Sequence, residues 1–272
     1  MKKKEEFIQE NLGNDKIPGR PMRLNVKHLK ENKKGYVEVL FFGDLHLGHP
    51  KCKLKEAKEM LDWALRNNAY VIFMGDLIEA GLRDSIGDSV FFQKTNPQRQ
   101  MEDLIELLKP LADKGLIIGI HEGNHEARIL QRTSINITKL ICRILNVSYL
   151  GYAGWNLFKV GKQNYSLYTM HGASGAKFKH TKLKAVADCA AWLDCDVIAM
   201  GHVHSISAEP IIKQGVSLRN KVVEDRRCYI VLTGSYVGWE GSYAQNKNLP
   251  PNKIGSPKGK FRSDYHNVHF TL

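Results

Sequence analysis

Tyr36-Val37-Glu38-Val39-Leu40-Phe41-Phe42-Gly43-Asp44-Leu45-His46 joins a run of β-branched and aromatic residues to a glycine, a carboxylate and an imidazole. The seven residues before Gly43 have the composition of a buried strand, and Gly43 marks its exit. The polar residues therefore stand just past a carboxyl end, where open α/β sheets place ligands. The same arrangement recurs along the chain. Leu54, Ala57, Met60, Leu61, Ala64 and Leu65 repeat at helical spacing and stop at Asn67-Asn68, before a second strand, Tyr70 to Met74, that leads into Gly75-Asp76. Pro97 opens a helix with Met101, Leu104, Ile105, Leu108 and Leu111 on one face. The next strand, Leu116 to Ile120, precedes Gly123-Asn124-His125-Glu126. Further strands are predicted at Ser166 to Met170, before His171-Gly172, at Val197 to Met200, before Gly201-His202-Val203-His204, and at Tyr229 to Leu232. A helix is expected from about Lys182 to Leu193. Strands alternating with helices predict an α/β class.

With 272 residues and 43% apolar content, the chain is expected to form one large core. Residues 1–35 read as a basic N-terminal extension with a short helix near Phe7. Residues 36–240 read as the main domain, and 241–272 as a basic tail containing Pro and Gly that wraps its surface. No apolar run approaches the roughly 20 residues of a membrane span, so no membrane partner is expected. The lysine-rich start is followed by acidic and polar residues where a signal peptide would be apolar. Five cysteines, odd in number and without a C-x-x-C pair, suit a reducing compartment. Together these predict a cytoplasmic location. The net charge of +12 is unevenly placed. Residues 1–35 carry 10 Lys/Arg against 5 Asp/Glu, residues 241–272 carry 5 against 1, and the rest 25 against 22. Basic flanks on a nearly balanced body raise encounter rates with polyanions, nucleic acid above all.

The post-strand motifs supply carboxylate oxygens and imidazole nitrogens, the donors that hard and borderline divalent cations prefer. If the segments are extended, Asp44 and His46 point the same way and reach one ion, and His202 and His204 share that geometry. Any one of these motifs is also met as an ordinary turn or a solvated loop. Their ordered combination is far more specific.

D-x-H, GD, GNHE, H-G and GHxH, read in this order over residues 36 to about 240, resemble the calcineurin-like metallophosphoesterase superfamily. The resemblance implies a central β-sandwich flanked by helices, in four α/β/β/α layers. It implies that Asp44, His46 and His204 hold one divalent ion, that Asn124, His171 and His202 hold a second, and that Asp76 bridges them. Hydrolysis would use water activated at the ion pair. His125 would not be a ligand but would stabilise the transition state or protonate the leaving oxygen. Manganese is the working choice of metal, with iron, zinc or magnesium as alternatives.

The motifs leave the substrate open among monoesters, diesters and polyphosphates. A nuclease or phosphodiesterase acting on DNA or RNA is expected, from the basic flanks, the aromatic stretch Gly234 to Tyr243 and the similarity of Gly43 to Gly48 to the matching segment of SbcD-type nucleases. Those nucleases carry a DNA-capping domain after GHxH, whereas 68 residues follow His204 here. Contact with DNA would then come from the flanks or from a second copy in a homodimer. The alternatives are a phosphatase or phosphodiesterase for nucleotides, phosphoproteins or other small phosphoesters, and a non-catalytic scaffold of the same fold. Arg128, four residues after Asn124, is a candidate phosphate contact if a helix starts there, and Lys177 and Lys179 are candidates for a polyanion track. His49, His121 and His180 fall outside the motifs and read as structural or solvent-facing.

Overall fold

Two six-stranded sheets lie face to face in the computed structural model, which describes residues 24–83, 85 and 89–272. In the first, the order is β12 (Val268–Thr271), β11 (Lys258–Arg262), β2 (Tyr36–Phe42), β3 (Tyr70–Phe73), β4 (Ile117–His121) and β5 (Tyr149–Gly151). In the second it is β1 (Asn25–Leu29), β6 (Ala153–Val160), β7 (Gln163–Met170), β8 (Val197–Met200), β10 (Val222–Thr233) and β9 (Ile206–Ser217). Alternation along β2 explains the layering. Val37, Val39 and Phe41 point inward with Ile72 and Ile118, and meet Phe158, Tyr165, Leu167, Val197 and Val231 of the other sheet. Leu40 and Phe42 point outward, onto the apolar faces of α1 (Leu54–Asn67), α2 (Pro97–Asp113) and α4 (Ile137–Leu145). Beyond the second sheet, Val186 of α5 (Lys179–Cys189) packs on Ile198, Ile230 and Leu232. The result is a four-layer α/β/β/α sandwich. Each fully buried Leu, Ile or Phe contributes roughly 1.5–3 kcal/mol by leaving water.

The helix ends follow from local sequence. Asn68 closes α1 in the left-handed conformation (φ 51), with its N–H donating to Ala64 O. Asn96 opens α2 by accepting from the N–H of Arg99 at 2.9 Å, ahead of Pro97.

Two expectations are corrected. The tail does not merely wrap the surface: β11 pairs antiparallel with β2, and Phe261 is fully buried between the sheets. Its partners are distant in sequence, so no local period announces the strand. Likewise Asn25–Leu29, placed in the N-terminal extension, pairs in parallel with β6. The helix expected near Phe7 lies outside the described residues. Entry into the sheet also occupies the tail's charge. Lys258 Nζ lies 4.0 Å from the Trp63 ring centre, Lys260 pairs with Glu38 at 3.7 Å, and Arg262 pairs with Asp264 at 2.7 Å.

A buried polar chain joins the two sheets. Asn25 Nδ2 donates to Asn156 Oδ1 at 2.7 Å and Asn156 Nδ2 to Thr169 Oγ1 at 2.8 Å, while Thr169 Oγ1 lies 2.7 Å from His121 Nε2. His121 Nδ1 donates to Gly151 O at 3.0 Å. Burial lowers the His121 pKa from 6.5 to about 4, partly opposed by the Gly151 carbonyl. The ring is therefore neutral, and its Nε2 accepts from the threonine hydroxyl.

Candidate metal centre

The carboxyl ends of β2, β3, β4, β7 and β8 converge at one end of the sandwich, and each delivers the motif that follows it. Asp44, His46, Asp76, His202 and His204 all adopt left-handed backbone conformations, with φ between 50 and 65. This corrects the extended D-x-H and H-x-H geometry expected from the sequence. Residues of this kind cost about 1–2 kcal/mol each in that region and persist where the surroundings over-determine them. Here the surroundings are neighbouring loops: the Asp44 N–H donates to Gly75 O and the His46 N–H to Asp76 O, both at 3.0 Å. Gly123 lies so close to Asp76 that a side chain at position 123 would collide with its carboxylate and amide nitrogen.

Two groups of donors form around Asp76. Asp44, His46 and His204 lie together, with His204 Nε2 3.3 Å from Asp44 Oδ1 and 3.2 Å from His46 Nε2. Asp76, His171 and His202 form the second group, with His171 Nε2 3.3 Å from Asp76 Oδ2. Asn124 Oδ1 joins them, 3.0 Å from His171 Nε2 and 2.9 Å from His202 Nδ1. Asp76 Oδ2 also lies 3.8 Å from His46 Nε2, which places this carboxylate between the groups. All seven residues singled out as ligands are thus assembled.

The electrostatics favour positive charge at this point. Burial alone would lower the His46 pKa, but the Glu79 hydrogen bond and the Asp76 charge raise it to about 9. Burial opposes protonation of His171 too, and Asp76 outweighs it, raising the pKa to about 10. Asp76 is held well below the usual carboxylate range by His171 and His125, against the effect of burial. In the ion-free protein, protons on His46 and His171 balance the neighbouring carboxylates. Oxygen and nitrogen donors so arranged fit divalent cations of the borderline class.

Two residues without a role in the sequence reading support the centre. Glu79 Oε2 lies 3.0 Å from His46 Nδ1 and 3.6 Å from His125 Nδ1. Glu126 accepts four backbone N–H groups: Gly123 at 3.0 Å, Asp76 at 3.1 Å, Leu77 at 2.6 Å and Ile78 at 3.1 Å. Burial and the Asp76 charge push its pKa up to about 7, and these N–H donors and His171 oppose the rise. Glu126 stood in the GNHE motif with no role of its own, and the only sequence signal for Glu79 was an acid three residues after Asp76.

His125 lies beside the donors. Its N–H donates to Asp76 Oδ1 at 2.9 Å, its Nδ1 donates to Glu79 O at 2.7 Å, and Arg128 Nη2 donates to its Nε2 at 3.1 Å. Burial lowers its pKa to about 4, against the pull of Asp76. The helix expected at Asn124 is present as α3 (Asn124–Thr133), and it carries Arg128 to this position. Lys177 and Lys179 are exposed on the segment after His171, and no hydrogen bond or ion pair among the described residues ties them to the centre. Tyr236 is buried and stacks on Phe42 with ring centres 4.5 Å apart, closing the core.

No helix among the described residues is long and apolar enough to cross a membrane. Among solved structures, the chain is similar to a Streptococcus pneumoniae protein described as a predicted phosphoesterase, at 12% identity and TM-score 0.38, covering 87% of this chain and 90% of that one. It is similar to Vps29 of Entamoeba histolytica complexed with zinc, at 15% identity and TM-score 0.36, covering 86% and 97%. It is also similar to a metallophosphoesterase from Sphaerobacter thermophilus, at 15% identity and TM-score 0.38, covering 86% and 87%. No match is found among curated proteins. Residues 37–211 match the model of the calcineurin-like phosphoesterases, and the chain belongs to this family of metal-dependent phosphoester hydrolases.

Proposed function

We propose that the protein is a dinuclear phosphodiesterase acting on nucleic acid, with manganese as its working metal. The observation that carries the dinuclear reading is the position of Asp76 between two donor groups. Asp44, His46 and His204 would hold one ion, Asn124, His171 and His202 the other, and Asp76 both. Bound divalent ions would supply Lewis acidity and a lowered pKa for water at the site.

The chain's own residues do the rest. Asp44 and Asp76 bring negative charge that offsets the cations, and neutral Asn124 keeps that charge from rising further. His171 Nδ1 donates to Met74 O at 2.8 Å, and His46 Nδ1 donates to Glu79, so both rings direct Nε2 inward. Neutral His125, held at Nδ1 by the Glu79 carbonyl, presents Nε2 together with the Arg128 guanidinium. We assign this pair to the phosphate: Arg128 neutralises a non-bridging oxygen, and His125 orients the guanidinium as a neutral ring and donates to the group that develops charge once Nε2 is protonated.

Arg128 fits the phosphate of any phosphoester, and a nucleic-acid strand would need further cations near the centre, since the tail's Lys258, Lys260 and Arg262 are engaged within the fold. Hydrolysis of a monoester, an aryl diester and a single-stranded oligonucleotide should be compared with manganese and after chelation. Diester and strand cleavage that disappears on chelation, with two ions per chain, is expected. Asp76→Asn should lose both ions together. A single ion in the active protein would overturn the dinuclear reading, and a strong preference for the monoester would make the protein a phosphatase.

A further inference from the structure

A cleft of about 280 Å³ is lined by Pro50, Lys51, Cys52, Lys53, Gly238, Trp239 and Glu240. Its two walls are continuations of the metal-centre loops. One runs on from His46, and the other follows Tyr236, whose N–H donates to Asp44 O at 3.0 Å. The walls are locked to each other by backbone bonds, Lys53 N–H to Tyr236 O at 2.7 Å and Gly238 N–H to Lys51 O at 2.9 Å. The volume falls just below the range of small-molecule sites, about 300 to 1,000 Å³. It suits a single planar group and is too small for a polypeptide segment.

The lining combines one aromatic surface with two cations. The Trp239 indole N–H donates to Leu249 O at 2.6 Å, which fixes the ring in the wall. Glycines let the lysines lie across that wall: a Cβ at Gly241 would stand 2.9 Å from Lys51 Nζ, and one at Gly238 would stand 2.8 Å from Lys53 Cε. None of the ion pairs among the described residues includes Lys51, Lys53 or Glu240, although all three line the cleft. The amino end of α1 starts at the rim with no side-chain cap at Lys53, adding the positive end of a helix dipole.

We infer that this cleft is a nucleotide subsite: the base stacks on Trp239, the phosphate is held by Lys51 and Lys53, and Glu240 accepts from N–H groups on the base edge. The subsite places one nucleotide unit next to the metal centre, either as a free nucleotide or as a residue of a single strand. It rests on the phosphodiesterase reading for its place in the reaction, but not for binding itself. Base stacking on an aromatic side chain is sequence-tolerant, so the subsite would not select a particular base strongly.

The test compares an oligothymidylate with an abasic phosphodiester chain of equal length and charge, by fluorescence anisotropy on the full chain with chelator present so that neither is cut. The base-bearing strand should bind more tightly. In Trp239→Ala that preference should fall about tenfold, the scale of one lost base stack. Trp239→Phe should keep much of it and covers the case in which the alanine variant does not fold, judged by a melting curve. Lys51→Gln and Lys53→Gln should weaken both strands alike, and each should reduce the log-log salt slope by about 0.7. Thymidine monophosphate competing as well as the strand would identify a free nucleotide as the ligand; competition by the strand alone would identify a polynucleotide. Equal affinity for the two chains, or an unchanged preference in a folded Trp239 variant, would overturn the subsite. Tight, Trp239-dependent binding by a protein that cleaves no diester with manganese would overturn the phosphodiesterase reading and leave the subsite standing.

Discussion

Glu79 Oε2 stands 3.0 Å from Nδ1 of His46, with the two side chains only 4% and 5% exposed. The carboxylate holds a proton on Nδ1, so Nε2 is the nitrogen turned toward Asp76 and His204, and its lone pair becomes available when an ion displaces its proton. Partners of this kind orient a metal-binding imidazole, and their loss typically costs 10- to 100-fold in affinity. Glu79→Ala should weaken the binding of one manganese ion by about that factor and leave the other less affected. Calorimetric titration resolves the two steps, and unchanged affinities would show that Glu79 does not position His46.

Glu126→Ala should act mainly on stability. Four backbone N–H groups converge on this carboxylate, and a buried N–H left without a partner costs about 1–3 kcal/mol. Water entering the vacated space recovers part of this, so a loss of about 3 kcal/mol or more is expected in chemical denaturation. Glu126→Gln should fall between the variant and the parent, because its amide nitrogen would face donors. A change below about 1 kcal/mol for alanine would show that the loops keep their geometry without the carboxylate.

His125→Ala should retain both ions and lose roughly two to four orders of magnitude in turnover, the range for a positioned proton-transfer or charge-stabilising group. Arg128→Ala should chiefly raise KM, because its guanidinium is assigned to a non-bridging phosphate oxygen. Loss of metal from the His125 variant would make that residue a ligand.

His121 makes stability pH-dependent. Its folded pKa of about 4 lies below the ordinary 6.5, so between these values the unfolded chain binds more protons. Its contribution is therefore complete above about pH 6.5 and is lost as the pH falls toward 4, by up to about 3 kcal/mol at 1.36 kcal/mol per unit. The difference in unfolding free energy between the parent and His121→Gln should follow that curve. A difference that is flat from pH 7 to 4 would mean the ring is already protonated when folded.

Much of the fold was legible because its signals are local. The β2 segment Tyr36–Phe42 and the α1 face of Leu54, Leu61 and Ala64 show the periods that burial on one or two faces imposes. β1, β5, β6, β9, β11 and β12 were not predicted. β1 and β11 are short and pair with strands far away in the chain, as Phe261 beside Val37 illustrates, and β12 pairs with β11 alone.

The donor residues themselves were written in the sequence. Asp44, His46, Asp76, Asn124, His171, His202 and His204 each follow a strand or begin a helix, and their types and order are the ground on which we propose a divalent-metal phosphoester site. Only the tertiary structure decided how they meet. Left-handed turns at Asp44, His46, Asp76, His202 and His204 replaced the extended geometry that sequence spacing suggested. Bonds from neighbouring loops, to the backbone carbonyls of Gly75 and Asp76 for Asp44 and His46 and to the carboxylates of Glu126 and Asp44 for Asp76 and His202, outweigh the local preference of those residues. The roles of Glu79 and Glu126 and the joining of Trp239 with Lys51 and Lys53 are likewise matters of tertiary structure. A carboxylate's partners and a cleft's walls come from segments brought together by the sandwich core, and no local pattern in the chain encodes that proximity.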